Sequence, residues 1–317
     1  MTRRVFASTH PFGHLDPTPR ELVVAAGGAL SLNPYGRKLS PAELAELLPG
    51  NEVVIASTER YTPELLDAVP GLRLIARTGV GLDGIDLELC RARGVQVSWT
   101  PDGPSDSVAE LTVGLIVSLL RQVLPADRAI RAGGWQRRTG WLLKERAVGL
   151  LGLGRCGSRV AKLLAPFGCR VLGCDTDPAA RARAAELGVE IVGLDALLGG
   201  SEVLSLHVPL TPETRGLIDE ARLGALRAGS YLINTARGEL VDEAALLAAL
   251  EADQLAGAAL DVYGEEPYAG PLAAREDVIL TAHMGSCSDA GRRAMELGAA
   301  RAVAAYLRGQ PIPNRLV

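Results

Sequence analysis

Cysteine is scarce in this 317-residue chain: five residues, at positions 90, 156, 169, 174 and 287, with no C-x-x-C pair among them. An odd number without paired spacing argues against a disulfide framework, and free thiols in a reducing cytoplasm account for it. Histidine is scarcer, with four residues, none spaced with a cysteine or carboxylate as a ligand set. No metal site is expected. Long hydrophobic runs are absent too. The longest strongly apolar stretch, Leu111–Leu120, is interrupted by Thr112, Gly114 and Ser118 and is too short to span a bilayer. The opening Met-Thr-Arg-Arg-Val-Phe-Ala-Ser lacks the apolar core of a signal peptide. Nor is there an excess of one charge: 33 basic against 37 acidic residues give −4. No global field exists to gather nucleic acid or an acidic membrane surface.

What is present is ordinary globular composition, 48% apolar and 22% charged, in a chain long enough for two cores. Short β-branched runs alternate with helical patterns throughout, the pattern of parallel α/β architecture. Candidate strands in the first third are Arg4–Ala7, Ala29–Leu32, Val53–Ser57, Leu72–Ala76 and Val95–Trp99. A turn-rich break, Thr100-Pro-Asp-Gly-Pro-Ser, precedes a long helix over Ser107–Val123, and Ser107 with Glu110 has capping-box spacing. A second set of strands follows: Ala147–Leu151, Arg170–Cys174, Val189–Val192, Val203–Leu206, Ser230–Asn234, Gly257–Leu260 and Val278–Thr281. A helix over Asp289–Leu307 comes last. Two doubly wound parallel-sheet domains are predicted.

The sharpest local pattern is Gly152-Leu-Gly154-Arg155-Cys156-Gly157, set between an apolar strand and an amphipathic helix. In that context the first glycine permits the tight turn, the second lets a pyrophosphate approach the backbone, and the third lets helix pack on strand. The helix start offers unpaired N–H groups and a positive dipole end. Asp175 ends the next strand, 18 residues beyond Gly157, where a carboxylate can accept from both ribose hydroxyls and repel a 2′-phosphate. No Arg follows in Thr176-Asp177-Pro178. NAD is favoured over NADP.

Three later strands end in polar segments, and ligands of doubly wound sheets sit at carboxyl ends of strands. The segments are Leu232-Ile-Asn-Thr-Ala-Arg237, Ala259-Leu-Asp261-Val-Tyr-Gly-Glu-Glu266-Pro and Ile279-Leu-Thr-Ala-His283-Met-Gly285. With Arg77-Thr-Gly79-Val80-Gly81-Leu-Asp, Ser107-Val-Ala-Glu110 and His207-Val-Pro-Leu-Thr-Pro-Glu-Thr, the sequence resembles the D-isomer-specific 2-hydroxyacid dehydrogenases along essentially its whole length.

The resemblance implies reversible hydride transfer between NAD and C2 of a small 2-keto acid. It implies a Rossmann-type NAD domain, residues 100–285, inserted into a flavodoxin-like substrate domain, residues 1–99 and 286–317, with the crossings as a hinge. Arg237 matches the arginine that binds substrate carboxylate and carbonyl, a task suited to its planar fork. His283 matches the proton donor and acceptor, and Glu266 the carboxylate that orients its imidazole. Gly79, Val80 and Gly81 match the loop whose N–H groups receive the substrate carboxylate. The cofactor would meet Gly152, Gly154, Arg155, Cys156, Gly157, Asp175, His207, Val208, Pro209, Thr214, Thr235, Ala236, Asp261 and Gly285, with His207 as wall and not as acid or base.

The long helix and the arm to Trp141 are the expected contact of a homodimer. The sequence departs from the family where Gly84 replaces the common Asn, Ala282 the Pro and Ser288 the Thr. Arg60 matches only loosely a position that in some members binds a C3 substituent. Relatives of the same fold also include NAD-sensing corepressors and dehydrogenases of phosphite or formate, and the sequence leaves these open as alternatives.

Overall fold

A computed structural model describes residues 3–317. Among them run twelve strands: β1 (Arg3–Ala7), β2 (Gly28–Leu32), β3 (Val53–Ala56), β4 (Leu74–Arg77), β5 (Gln96–Ser98), β6 (Ala147–Leu151), β7 (Arg170–Cys174), β8 (Glu190–Ile191), β9 (Val203–Leu206), β10 (Ser230–Asn234), β11 (Leu255–Leu260) and β12 (Val278–Leu280). They form two sheets, ordered β2-β1-β3-β4-β5 and β12-β11-β10-β9-β6-β7-β8, with every pairing parallel. This is the doubly wound α/β architecture the strand–helix alternation predicts.

The chain divides into two compact units, one running to Pro104 and resuming at Ser286–Val317, the other Ser105–Gly285. Thr100–Pro104 belong to the first unit, five residues beyond the expected boundary. The physical reason is local: the Thr100 amide and hydroxyl close on Gly79, and Gly103 lies against Met295.

Within the first unit the pleat sorts alternate residues onto opposite faces. Phe6, Val54 and Ile75 face one layer, with Leu44, Leu48, Leu65 and Leu66 from the helices Pro41–Leu47 and Pro63–Ala68 and their ends. Val5, Ala7, Val53, Ile55, Leu74 and Ala76 face the other, where Ala299, Ala300 and Val303 of the helix Asp289–Leu307 cover them. Small side chains there let helix and sheet approach closely. Ser288 caps that helix by accepting from the Gly291 amide at 3.0 Å.

In the second unit the helix Ser105–Leu120 covers one face of the seven-stranded sheet through Ala109, Leu115 and Ile116. It begins two residues before the expected start, directly after Pro104, so Ser107 lies inside the first turn and the capping-box reading fails. It also stops at Leu120. Gln122 takes a left-handed conformation (φ 51°), and a second helix, Val123–Arg131, leaves at 65°. Pro125 explains the break, since in a continuous helix its ring would strike the carbonyl four residues back.

Candidate active site

The second sheet reverses direction of winding between β6 and β9, and the loops after these two strands meet. The amide of His207 donates to Leu151 O at 2.7 Å, and Gly152 turns with φ +98°. A Cβ on Gly152 would lie 2.6 Å from the His207 carbonyl carbon, and one on Gly157 only 2.0 Å from Gly152 O. Both glycines are therefore required by backbone contact. Gly154, by contrast, has nothing within 4 Å of its Cβ position and faces open space. It begins the helix Arg155–Leu164 with no side-chain cap, a helix start of the kind that suits an anion. Arg155 is exposed in the first turn, and burial pushes the Cys156 thiol pKa up, keeping it uncharged.

Asp175 stands at the tip of β7, its Oδ2 accepting from the Leu153 amide at 2.6 Å and its Oδ1 from the Asp177 amide at 2.8 Å. These two bonds orient the carboxylate and leave lone pairs on both oxygens for ribose hydroxyls. An open second glycine, an uncapped helix start and a fixed acid suit a dinucleotide. His207 bonds Ser205 Oγ through Nε2 at 2.9 Å, and burial lowers its pKa to about 4. It is neutral near pH 7. Thr214 closes the turn after His207, donating to Pro209 O at 2.7 Å and accepting from the Thr211 amide, so that Val208 and Pro209 are held at its rim.

The side chains expected to carry the chemistry, Arg237, Glu266 and His283, stand on the loops after β10, β11 and β12. Asn234, at the end of β10, accepts from the Ala236 amide at 3.1 Å and donates from Nδ2 to Arg237 O at 2.8 Å. This side-chain clamp shapes the turn that carries Arg237. Thr235 turns its hydroxyl onto Thr112, 2.9 Å away, and Thr112 in turn donates to Val108 O, so the Thr235 hydroxyl proton is already committed. The Arg237 loop packs directly on the next one, for a Cβ on Gly238 would fall 1.9 Å from the Tyr263 carbonyl carbon.

Glu266 and His283 meet side by side, with His283 Nδ1 lying 3.0 and 2.9 Å from the two Glu266 oxygens. A carboxylate only accepts, so Nδ1 carries the proton and Nε2 is the nitrogen left to take or give one. His283 adopts a left-handed backbone (φ 49°) that a non-glycine residue holds only when its surroundings dictate it. Asp261 is what dictates it. Buried to 1% exposure, its carboxylate accepts from Thr281 Oγ1 at 2.5 Å, the Met284 amide at 2.9 Å and the Gly285 amide at 2.8 Å, while its carbonyl accepts from the His283 amide. Asp261 thus grips both sides of the histidine.

Asn234 and Asp261 have structural tasks that sequence reading did not supply. An Asn ending a strand two residues before a turn amide was the available signal for the first; Asp261's partners, 20 to 24 residues away, gave none.

In the first unit, Gly79, Val80 and Gly81 follow β4. The Gly79 amide is already used by Thr100 Oγ1 at 2.7 Å, so it is not among the donors for a ligand. Among the described residues no cluster of three or more His, Cys, Asp or Glu side chains is arranged to hold a metal.

The family model for the NAD-binding domain of D-isomer specific 2-hydroxyacid dehydrogenases matches residues 113–285. Glyoxylate reductase of Thermofilum pendens is 40% identical over 264 residues, 81% of this chain and 78% of the relative. The crystal structure of TT0316 protein from Thermus thermophilus superposes with a TM-score of 0.90 at 34% identity, over 99% of this chain and all of that one. D-lactate dehydrogenase from Aquifex aeolicus, solved with NAD and lactic acid, gives a TM-score of 0.82 at 29% identity over 97% of this chain and 96% of that one. The chain belongs to the D-isomer specific 2-hydroxyacid dehydrogenases, NAD-dependent oxidoreductases that interconvert 2-keto and 2-hydroxy acids.

Proposed function

We propose that the chain reduces a small 2-keto acid, with glyoxylate first in line, to its 2-hydroxy acid, of D configuration where C2 is chiral. The observation that carries this reading is the pairing of His283 Nδ1 with both oxygens of Glu266, on loops adjoining the one that presents Arg237. Arg237 offers its planar fork to the substrate carboxylate and carbonyl oxygens. His283 delivers a proton from Nε2 to the C2 oxygen and takes it back in the oxidation direction, while Glu266 fixes its tautomer and orientation. Val80 and Gly81 donate their amides to the carboxylate.

When bound, NAD would supply or accept the hydride at C2. Gly152, Gly154, Arg155, Cys156 and Gly157 would hold its pyrophosphate and Asp175 its adenosine ribose, while His207, Val208, Pro209, Thr214, Thr235, Ala236, Asp261 and Gly285 would border the remainder. Glyoxylate is put first because the relative from Thermofilum pendens bears that name.

The residues up to Pro104 with Ser286–Val317 serve as the substrate domain in this reading. Five free cysteines suit a reducing cytoplasm. A homodimer is also proposed, on the exposure of Val123, Ile130, Trp135, Trp141 and Leu142 along the helix Val123–Arg131 and its arm, with Trp135 82% exposed.

The test is NADH consumption with glyoxylate, hydroxypyruvate, pyruvate and bulkier 2-keto acids. Turnover of at least one at enzymatic rates is expected. Tight NADH binding with no turnover across the panel would instead make the chain an NAD-sensing binding protein and end the proposal.

A further inference from the structure

The geometry points to Arg77 as a positioning residue that presets the loop Thr78–Gly81 for a carboxylate; this deepens the function proposed above and rests on it. Arg77 ends β4 and is only 7% exposed. Its Nε donates to Gly81 O at 3.0 Å and its Nη1 to Thr78 O, so one guanidinium holds the carbonyls at both ends of the loop. The loop closes over the side chain so tightly that a Cβ on Gly79 would lie 2.7 Å from Nη1, and Gly79 has φ +147°. A lysine ammonium, a point donor on a flexible stem, does not reproduce this fork.

Thr100 completes the arrangement from the other side. Its buried Oγ1 accepts from the Gly79 amide at 2.7 Å, and its own amide donates to Gly79 O at 3.2 Å. In a trans peptide the carbonyl and the following N–H point opposite ways. With Gly79 O directed at Thr100, the Val80 amide is directed away from it. Among the described residues the Val80 and Gly81 amides find no acceptor. The result is two adjacent donors held by a cation that is itself part of the loop, and the positive charge favours an anion there. Arg77 acts on the carboxylate through the loop's shape and field.

The test uses the full-length enzyme loaded with NADH. Arg77→Lys and Thr100→Val are each compared with wild type for glyoxylate kinetics, for inhibition by oxamate (a carboxylate analogue of the substrate) and for NADH affinity. KM for glyoxylate and Ki for oxamate should rise together by about 10- to 100-fold in Arg77→Lys, the scale of losing one or two buried hydrogen bonds. Thr100→Val should raise both less, and Thr100→Ser should restore them. In all three variants kcat should stay within about threefold and NADH affinity within about twofold. If Arg77→Lys does not fold, the Thr100→Val and Thr100→Ser pair decides. An active wild type whose variants keep KM and Ki, or lose NADH affinity in step with them, overturns the role of Arg77. A wild type that turns over no 2-keto acid removes the functional reading beneath it.

Discussion

His283 occupies a left-handed backbone conformation because the Asp261 carboxylate gathers Thr281, Met284 and Gly285 around it. Asp261→Asn keeps the shape but sets an amide NH₂ against donors that need an acceptor. Unfolding free energy should fall by about 1–3 kcal/mol, the scale of a buried unsatisfied polar pair. Turnover should fall as well, because the imidazole loses its orientation; unchanged kcat in the variant would detach Asp261 from catalysis. His283→Ala should lower kcat by roughly 10²–10⁴ with NADH affinity unchanged, as measured by steady-state kinetics and titration.

His207 makes a prediction of opposite character. Its folded pKa of about 4 lies below the usual imidazole value of 6.5, so between the two the unfolded chain binds a proton that the folded chain refuses. Stability must therefore decline on acidification through that window. Partial exposure of the residue reduces the full linkage to on the order of 2 kcal/mol. His207→Gln, compared with wild type by urea unfolding at pH 7 and pH 4.5, should lose less stability; equal losses would contradict the assignment. At this scale the placement of Arg237, Glu266 and His283 after strand ends was legible, because each follows an apolar run that the structure makes a strand. Their supports were not: Thr235 meets Thr112 across 123 residues, and no local pattern announces such a bond.

Among elements, strands were the most legible, since apolar β-branched runs bounded by turn residues carry their own signal. Strands β6, β7, β9 and β10 begin and end at the expected residues, as does the helix Asp289–Leu307. The break after Leu120 was missed, although Pro125 marked it. The element with the most testable consequence is β7, whose tip fixes Asp175 through two backbone amides. Asp175→Ala removes an acceptor for the ribose and the charge that repels a 2′-phosphate. NADH affinity should fall and relative use of NADPH should rise, read as the ratio of kcat/KM for the two cofactors. A wild type that uses NADPH as well as NADH would defeat this account.

For the molecule as a whole, two doubly wound sheets were readable from the alternation of strands and helices, whereas the membership of Thr100–Pro104 depended on contacts with Gly79 and Met295 that only folding creates. The proposed dimer belongs to this scale. Light scattering at micromolar concentration should give twice the chain mass, and Ile130→Lys with Trp135→Ser should give the chain mass alone; a monomeric wild type would remove the proposal. The helix Asp289–Leu307 has a further consequence, for the order in which the protein is made. It covers Val5, Val53, Ile55 and Leu74, yet it leaves the ribosome only after the whole of Ser105–Gly285. The seven-stranded unit can close on itself during synthesis while the five-stranded sheet waits with one apolar face bare. Chains released early, ending at Gly285, should bind a hydrophobic dye such as ANS and be degraded quickly, and supplying the missing helix as a peptide should reverse both.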